Sequence, residues 1–240
     1  METGSSPLTW EDTDVGLPAY GRVLSPLLAN VMLDEVDKEL ERRGHKFARY
    51  ADDSNIYVRS QRAGERVLQS LRRLYATLHL KVNESKTAVG PAFGRKFLGY
   101  CFRRWSNDTV KTAVAPKALK AFKDRIREMT RRSGGRSLIE VAERMRRYVP
   151  GWKSCFRLAQ TPTTFEDLDS WTRHRLRAVQ LKHWKRGGTV YREVLNLGAT
   201  QEEAVTIARG CRRWWHQSHS LLNKVLTVSY FDSLGVPRLS

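Results

Sequence analysis

Three things are scarce in this 240-residue chain: long apolar runs, paired cysteines and, in its second half, acid. The longest apolar stretch, Leu24 to Leu33, is interrupted by Ser25, Pro26 and Asn30. A bilayer needs about 20 such residues in a row, so a membrane span is not expected. The first residues include Glu2, Glu11, Asp12 and Asp14, unlike the basic and then apolar start of a signal peptide. Cys101, Cys155 and Cys211 stand far apart with no Cys-x-x-Cys spacing. That excludes a disulfide framework and a zinc site of the usual spacing, and it fits a reducing, cytoplasmic-type interior. Cys155, inside the run Trp152 to Phe156, is expected to be a core thiol. The histidines show no metal-binding pattern.

What replaces the acid is base. Net charge is +18, and it is unevenly spread. Residues 1–115 carry 18 Lys+Arg against 14 Asp+Glu, a net of +4, whereas residues 116–240 carry 25 against 11, a net of +14. Such a surplus attracts polyanions, because phosphate contacts supply sequence-independent affinity. With Trp residues interleaved, nucleic acid is the expected partner, a basic membrane-surface protein being the alternative. A 40% hydrophobic content supports a globular core.

Periodicity divides the chain near 105–115. Residues 1–23 show none and read as irregular. Ser25-Pro26 looks like an N-cap and first-turn proline for a helix that stops at Gly44. A second helix is predicted from about Ala63 to Leu78, with Val67, Leu68, Leu71, Leu74, Tyr75 and Leu78 on one face. Short extended pieces follow at 80–83 and 87–89, then strands at Phe97 to Phe102 and Val110 to Val114. From Pro116 onward only helices are expected. Gly134-Gly135 ends the first, Ser137 to Glu140 is a capping box, and Pro150-Gly151 kinks or interrupts the next helix. Thr163 or Thr164 caps a long helix to Trp184, Gly187-Gly188 ends it, and Thr200 with Glu203 starts another that stops at Gly210.

The chemistry-bearing motif is Tyr50-Ala51-Asp52-Asp53. It lies between two strand-like runs, Phe47 to Tyr50 and Asn55 to Val58, so it reads as a hairpin whose tip presents two carboxylates. Most Asp-Asp pairs are solvated turns. Adjacent carboxylates are costly unless a cation offsets them, and Mg²⁺ does so in nucleotide polymerases, which hold two ions about 3.5–4 Å apart.

Further motifs surround this one. Leu24-Ser25-Pro26-Leu27-Leu28-Ala29-Asn30, Tyr50 to Asp53, Leu80-Lys81-Val82-Asn83-Glu84-Ser85-Lys86-Thr87 and Phe97-Leu98-Gly99-Tyr100 together resemble the palm of a group II intron reverse transcriptase. The stretch from Pro116 through Gly151 to Phe156 and Phe165 to Asp169 is similar to the maturase-specific thumb of the same proteins, as is the ending Tyr230 to Gly235. The resemblance covers about residues 16–240. It implies an α+β fold: an irregular segment at 1–23, a partial right-handed palm at 24–112, and an all-helical thumb/maturase domain at 113–240. It implies that Asp52 and Asp53 are catalytic and hold Mg²⁺. Lys86 aligns with a lysine that protonates departing pyrophosphate, an ordinary surface lysine being the alternative. Phe97, Leu98, Gly99 and Tyr100 would support primer and template. An RNA/DNA primer-template and a dNTP are then further partners.

The departures from that pattern matter equally. The family places a third catalytic aspartate on an earlier strand, and the acids ahead of Ser25 lie in no strand-like run. The fingers region is missing. The family's Pro-Gln-Gly-Gly reads Pro18-Ala19-Tyr20-Gly21 here, so a side chain that bonds template or nucleotide is gone and Tyr20 blocks close backbone approach. The two-metal site is thus expected to be incomplete and polymerisation impaired.

The helical half keeps its bases. Arg144, Arg147, Lys153, Arg157, Arg173, Arg177, Lys182, Lys185 and Arg186 are the expected contacts to group II intron RNA. Trp152 and Trp171 read as core, and of Trp214 and Trp215 one is expected to face out. No paired Cys and His suggests a DNA endonuclease module. The expected function is therefore RNA binding that assists intron splicing. The alternatives are an RNA-directed DNA polymerase completed by another polypeptide, and a nonfunctional remnant of a mobile element.

Overall fold

A computed structural model of the protein describes the backbone of residues 2–7 and 21–26 and the whole of residues 27–105 and 108–240. Packing divides the chain into two compact units, the first ending at Phe97 and the second beginning at Leu98.

The first unit is α/β. Its strands are β1 (Glu2–Pro7), β2 (Lys46–Tyr50), β3 (Asp53–Val58), β4 (Ala88–Pro91) and the two-residue β5 (Lys96–Phe97), with helices α1 (Gly21–Arg42) and α2 (Gln61–Thr77). The four-stranded sheet has the order β2-β3-β1-β4. Residues 2–7, expected to be irregular, therefore form an inner strand. They pair antiparallel with β3 on one side and β4 on the other. Their sequence, Glu-Thr-Gly-Ser-Ser-Pro, carries no apolar alternation, so pairing on both edges does what side-chain patterning does elsewhere. The remaining residues expected to be irregular, from 8 to 20, lie outside the described set.

Helix α1 begins at Gly21 rather than at Ser25, and Ser25-Pro26 lies within it. Its Leu33, Val36 and Leu40 meet Ile56 and Val58 of β3 and Leu71 and Tyr75 of α2 in one core. Ser60 caps α2 by accepting the Ala63 N–H at 3.3 Å. A side chain at Gly64 would put its Cβ 2.5 Å from Val89 Cγ1, so this glycine lets α2 lie close on β4. The 80–83 stretch is not a strand, and the extended piece after it is β4.

The second unit opens with the antiparallel hairpin β6 (Tyr100–Arg104) and β7 (Val110–Val114). The strand expected over Phe97 to Phe102 is broken, because Leu98 and Gly99 both have positive φ, 50° and 82°. Gly99 is needed there for a second reason: a Cβ would sit 2.9 Å from the Phe156 ring. The hairpin packs with helices, so this unit starts earlier than the 113–240 domain that the resemblance implies. The Gln160 N–H donates to Thr112 O at 2.7 Å, and Tyr100 donates its hydroxyl to Cys155 O at 2.7 Å.

Eight helices follow: α3 (Pro116–Met129), α4 (Leu138–Cys155), α5 (Pro162–Trp184), α6 (Gly187–Asn196), α7 (Gln201–Arg209), α8 (Trp214–His219), α9 (Leu222–Val225) and α10 (Val228–Ser233). Capping boxes form at Ser137/Glu140 and Thr200/Glu203, each satisfying otherwise orphaned N–H groups. Pro150 sits inside α4, which runs on to Cys155 without a break. Gly187-Gly188 starts α6 instead of ending α5, since the chain already turns at Lys185, where φ is 58°. Phe122, Ile126, Met145, Leu168, Leu176, Ile207, Leu222 and Phe231 lie in one large core. Trp152 packs between Phe122 (4.5 Å) and Phe156 (4.6 Å), as expected of a core residue. Cys155, expected in the core, is exposed, whereas Cys101 is buried. No helix among the described residues is long and apolar enough to cross a membrane.

Candidate functional site

The Asp-Asp motif is the tip of a two-residue hairpin. Tyr50 pairs with Asp53, leaving Ala51 and Asp52 as the turn. Ala51 has φ 52°, a conformation that usually selects glycine in tight hairpins. What holds the turn is Arg49. Its Nε donates to both Asp37 carboxylate oxygens at 2.9 Å, its Nη2 to Asp37 Oδ2 at 2.6 Å, and its Nη1 to Asn30 Oδ1 (2.8 Å) and Ala51 O (3.0 Å). One guanidinium thus ties the turn backbone to α1. The Asp37 hydrogen bonds raise the Arg49 pKa, so the clamp stays charged. Sequence reading passed over Arg49 and Asp37. The available signal was an arginine directly before the turn, twelve residues after an aspartate at a helical position.

The clamp presents Asp52 half-buried and Asp53 exposed, and neither side chain bonds a described residue. The neighbouring inner strand brings them no third carboxylate. Pro7 lies opposite Asp53 and Ser6 opposite Ser54. The acid of that strand, Glu2, pairs with Val58 at its other end, roughly 17 Å away at 3.3–3.4 Å per residue. Among the described residues no group of three His, Cys, Asp or Glu side chains could hold a metal ion. A two-metal centre needs carboxylates that bridge and fix both ions. Asp52 and Asp53 alone do not fit one.

Lys86 is exposed in the turn before β4, with its backbone N–H on Asn83 O at 3.1 Å. Ala88 pairs with Ser5, so this turn lies at the same end of the sheet as Asp53. The Phe97 to Tyr100 segment is not one strand. Phe97 ends the first unit, while Leu98, Gly99 and Tyr100 begin the second. There the Tyr100 ring lies 5.4 Å from Phe156.

Of the nine basic residues expected to face RNA, Arg144, Arg147, Lys153, Arg157, Lys182, Lys185 and Arg186 are exposed. Arg173 and Arg177 are buried, at 7% and 5% exposure, and this corrects their assignment to a binding surface. Arg177 donates Nε to Leu226 O at 2.9 Å and lies 5.7 Å from the Phe231 ring. Burial, helped by nearby Arg173, pushes its pKa down to about 10. Arg173 pairs with Asp169 at 3.9 Å. Asp169 in turn accepts the Leu239 N–H at 3.0 Å and the Ser240 N–H at 2.9 Å, fastening the last residues to α5. The sequence did contain a warning: 169, 173 and 177 recur every four residues, so all three share one helical face, and Leu176 and Val179 flank it. Trp215 is 40% exposed while Trp214 packs on the core, so one of that pair faces out.

Similarity to known proteins divides along the same lines. Residues 12–102 match the family model described as reverse transcriptase (RNA-dependent DNA polymerase). Residues 119–197 match the one described as group II intron, maturase-specific domain. No curated protein matches the chain at a significant level. The aspartate hairpin lies in the first matched segment and α4 and α5 lie in the second, and the two matches in that order support a group II intron reverse transcriptase/maturase, C-terminal part.

Proposed function

We propose that this protein works as an RNA-binding maturase: it grips intron RNA through its helical unit and assists splicing, while its polymerase hairpin is impaired. One contrast carries this reading. The hairpin has two carboxylates with Pro7 in the neighbouring strand position, whereas seven expected RNA contacts on the helical unit stand exposed. Positioning and charge stabilisation supply most of the catalysis in phosphoryl transfer, and both need a fully fixed metal site. Holding a folded RNA needs only phosphate contacts and shape, because the intron RNA performs the splicing chemistry. Asp52 and Asp53 would hold a single hydrated Mg²⁺ weakly. The place of action is a reducing interior where the intron transcript is made.

The test has two arms. The full chain is titrated with group II intron RNA and with an unrelated RNA of equal length across a salt series. The reading expects a steep salt slope and tighter binding to the intron. In the second arm, primer extension on an RNA template with Mg²⁺ should give little or no product. Equal affinity for both RNAs would point to a remnant, and processive cDNA synthesis would restore the polymerase reading.

A further inference from the structure

The seam between α3 and α5 joins two arginines that sequence spacing does not connect. Arg175, on α5, donates its Nε to Thr130 Oγ1 just past the end of α3, at 2.7 Å. Arg132, two residues beyond Thr130, donates its Nε to Ala178 O of α5 at 3.2 Å. Ala178 is less than one helical turn from Arg175. The two side chains therefore cross the seam in opposite directions and side by side. Each guanidinium also rests on an indole: Arg175 lies 5.4 Å from the centre of Trp171, and Arg132 lies 4.0 Å from that of Trp214. Arg127 and the ammonium of Lys123 share Trp171, at 5.4 and 5.7 Å.

Several of the chain's arginines meet carboxylates, whereas Arg132 and Arg175 of the seam meet none among the described residues. Arg42 and Arg43 meet Glu39, Arg49 meets Asp37, Arg72 meets Glu84, and Arg125 meets Glu128. Of the four seam cations, Arg127 has one carboxylate partner, Asp124 at 2.6 Å, and both side chains of that pair are about half exposed. Such a pair contributes about 0–1 kcal/mol. Arg132 and Arg175 spend Nε on the protein, and their terminal amino groups bond no described residue. Burial lowers the pKa of both, and Arg127 adds to the effect at Arg175. Like charges held close in a part-buried seam cost free energy that a bound anion offsets.

We propose that the α3–α5 seam is a contact site for the phosphate backbone of structured RNA. Arg132 and Arg175 each present a preset fork to a phosphate, and Lys123 and Arg127 extend the charge along the strand. The planar fork matches phosphate oxygens in a bidentate way, and an Nε already anchored leaves less freedom to lose on binding. Guanidiniums cover the indoles, so Trp171 and Trp214 act as rests for arginine rather than as platforms for bases. The site rests on the reading of the helical unit as an RNA binder, and it deepens that reading by assigning residues that the sequence motifs did not.

The experiment measures affinity of the full chain for a mixed-sequence RNA hairpin between 50 and 300 mM KCl, by fluorescence anisotropy. Lys123→Gln/Arg127→Gln and Arg132→Gln/Arg175→Gln are compared with wild type and with Arg66→Gln, a change in the first unit. Each double variant is expected to lose about tenfold or more in affinity at low salt and to flatten the salt slope by about 1–2. Arg66→Gln should leave both unchanged. The side chains of Lys123 and Arg127 bond no backbone atom of a described residue, so their double variant decides the matter even if the other unfolds, melting temperature being the check. Wild-type affinity and slope in a folded Lys123→Gln/Arg127→Gln protein would overturn the site. Absence of RNA binding by wild type would overturn the functional reading itself, a result distinct from the first.

Discussion

The two units stabilise themselves by different means. In the helical unit a single core gathers side chains from α3 through the last residues, with Phe122, Ile126, Leu176, Leu222 and Phe231 fully buried. In the first unit the described residues form a smaller core, with seven buried side chains between two helices and one face of the sheet. The rest is held by strand pairing and by polar ties such as Arg49 on Asp37. Apolar burial scales with area, so the larger core tolerates a polar surface rich in one charge. The smaller one depends on individual hydrogen bonds, and its functional hairpin sits where those bonds are. The difference is one of support: the proposed RNA-binding surface stands on a packed scaffold, and the two carboxylates of the hairpin stand on a pinned turn.

Four measurements would break or sharpen this contrast. The largest effect is expected for Phe122→Ala. Phe122 is fully buried against Tyr148 and Trp152, so its loss should cost about 3–5 kcal/mol in urea unfolding of the helical unit. The first unit's transition should not move; a joint shift would mean that the units do not unfold separately. Next comes Asp37→Ala, which leaves Arg49 without its carboxylate. A cost of about 1–3 kcal/mol is expected, with faster amide exchange across the 46–58 hairpin and none in α4 or α5. Unchanged exchange at the hairpin would remove Arg49 from its role as clamp.

A smaller effect concerns His174 in the helical unit. Its ring stacks on Trp215 at 3.8 Å, and its Nε2 lies 2.9 Å from Trp215 O. Burial holds its pKa below the usual 6.5, the Trp215 carbonyl opposing and His219, Arg177 and Arg175 reinforcing the shift. The unfolded chain then takes up the proton more readily. His174's contribution is full above pH 6.5 and is lost as pH falls through the folded value. The unfolding midpoint of the helical unit should drop between pH 7.5 and 5, and the drop should be shallower in His174→Gln. The smallest effect is expected for Ala51→Gly: relief of the positive φ at the turn is partly cancelled by the freer unfolded chain. A change within about 1 kcal/mol, seen in first-unit melting, is expected, and a large loss would show that the turn needs its Cβ.

Many local signals in the sequence were legible, although Ser25-Pro26 lies inside a helix and Gly187-Gly188 starts one. The capping boxes at Ser137 and Thr200 form because their partners lie three residues away. The apolar face of α2 buries Leu71 and Tyr75 as its spacing requires. The Asp-Asp hairpin was readable for the same reason. Other failures depended on distant partners. β1 is a strand because β3 and β4 flank it, not because of its own residues. Arg173 and Arg177 looked like surface cations until Asp169 and the Leu226 carbonyl claimed them. Cys155 sits in an aromatic run, yet its place in the last turn of α4 turns it to solvent. The seam arginines were invisible because each is defined by a residue of the other helix.

The strand order has a consequence for synthesis on the ribosome. β1 is made before either of its neighbours, yet it is the strand between them. It must wait unpaired until Val58 and then Pro91 have been translated, an interval of roughly 4–17 s at typical elongation rates. Between the synthesis of Val58 and of Pro91, β1 offers an open edge to any other extended peptide. Residues 2–7, lacking apolar side chains, are a poor template for such misplaced pairing, so the composition that hid the strand from pattern reading also keeps the nascent chain from joining its neighbours on the polysome.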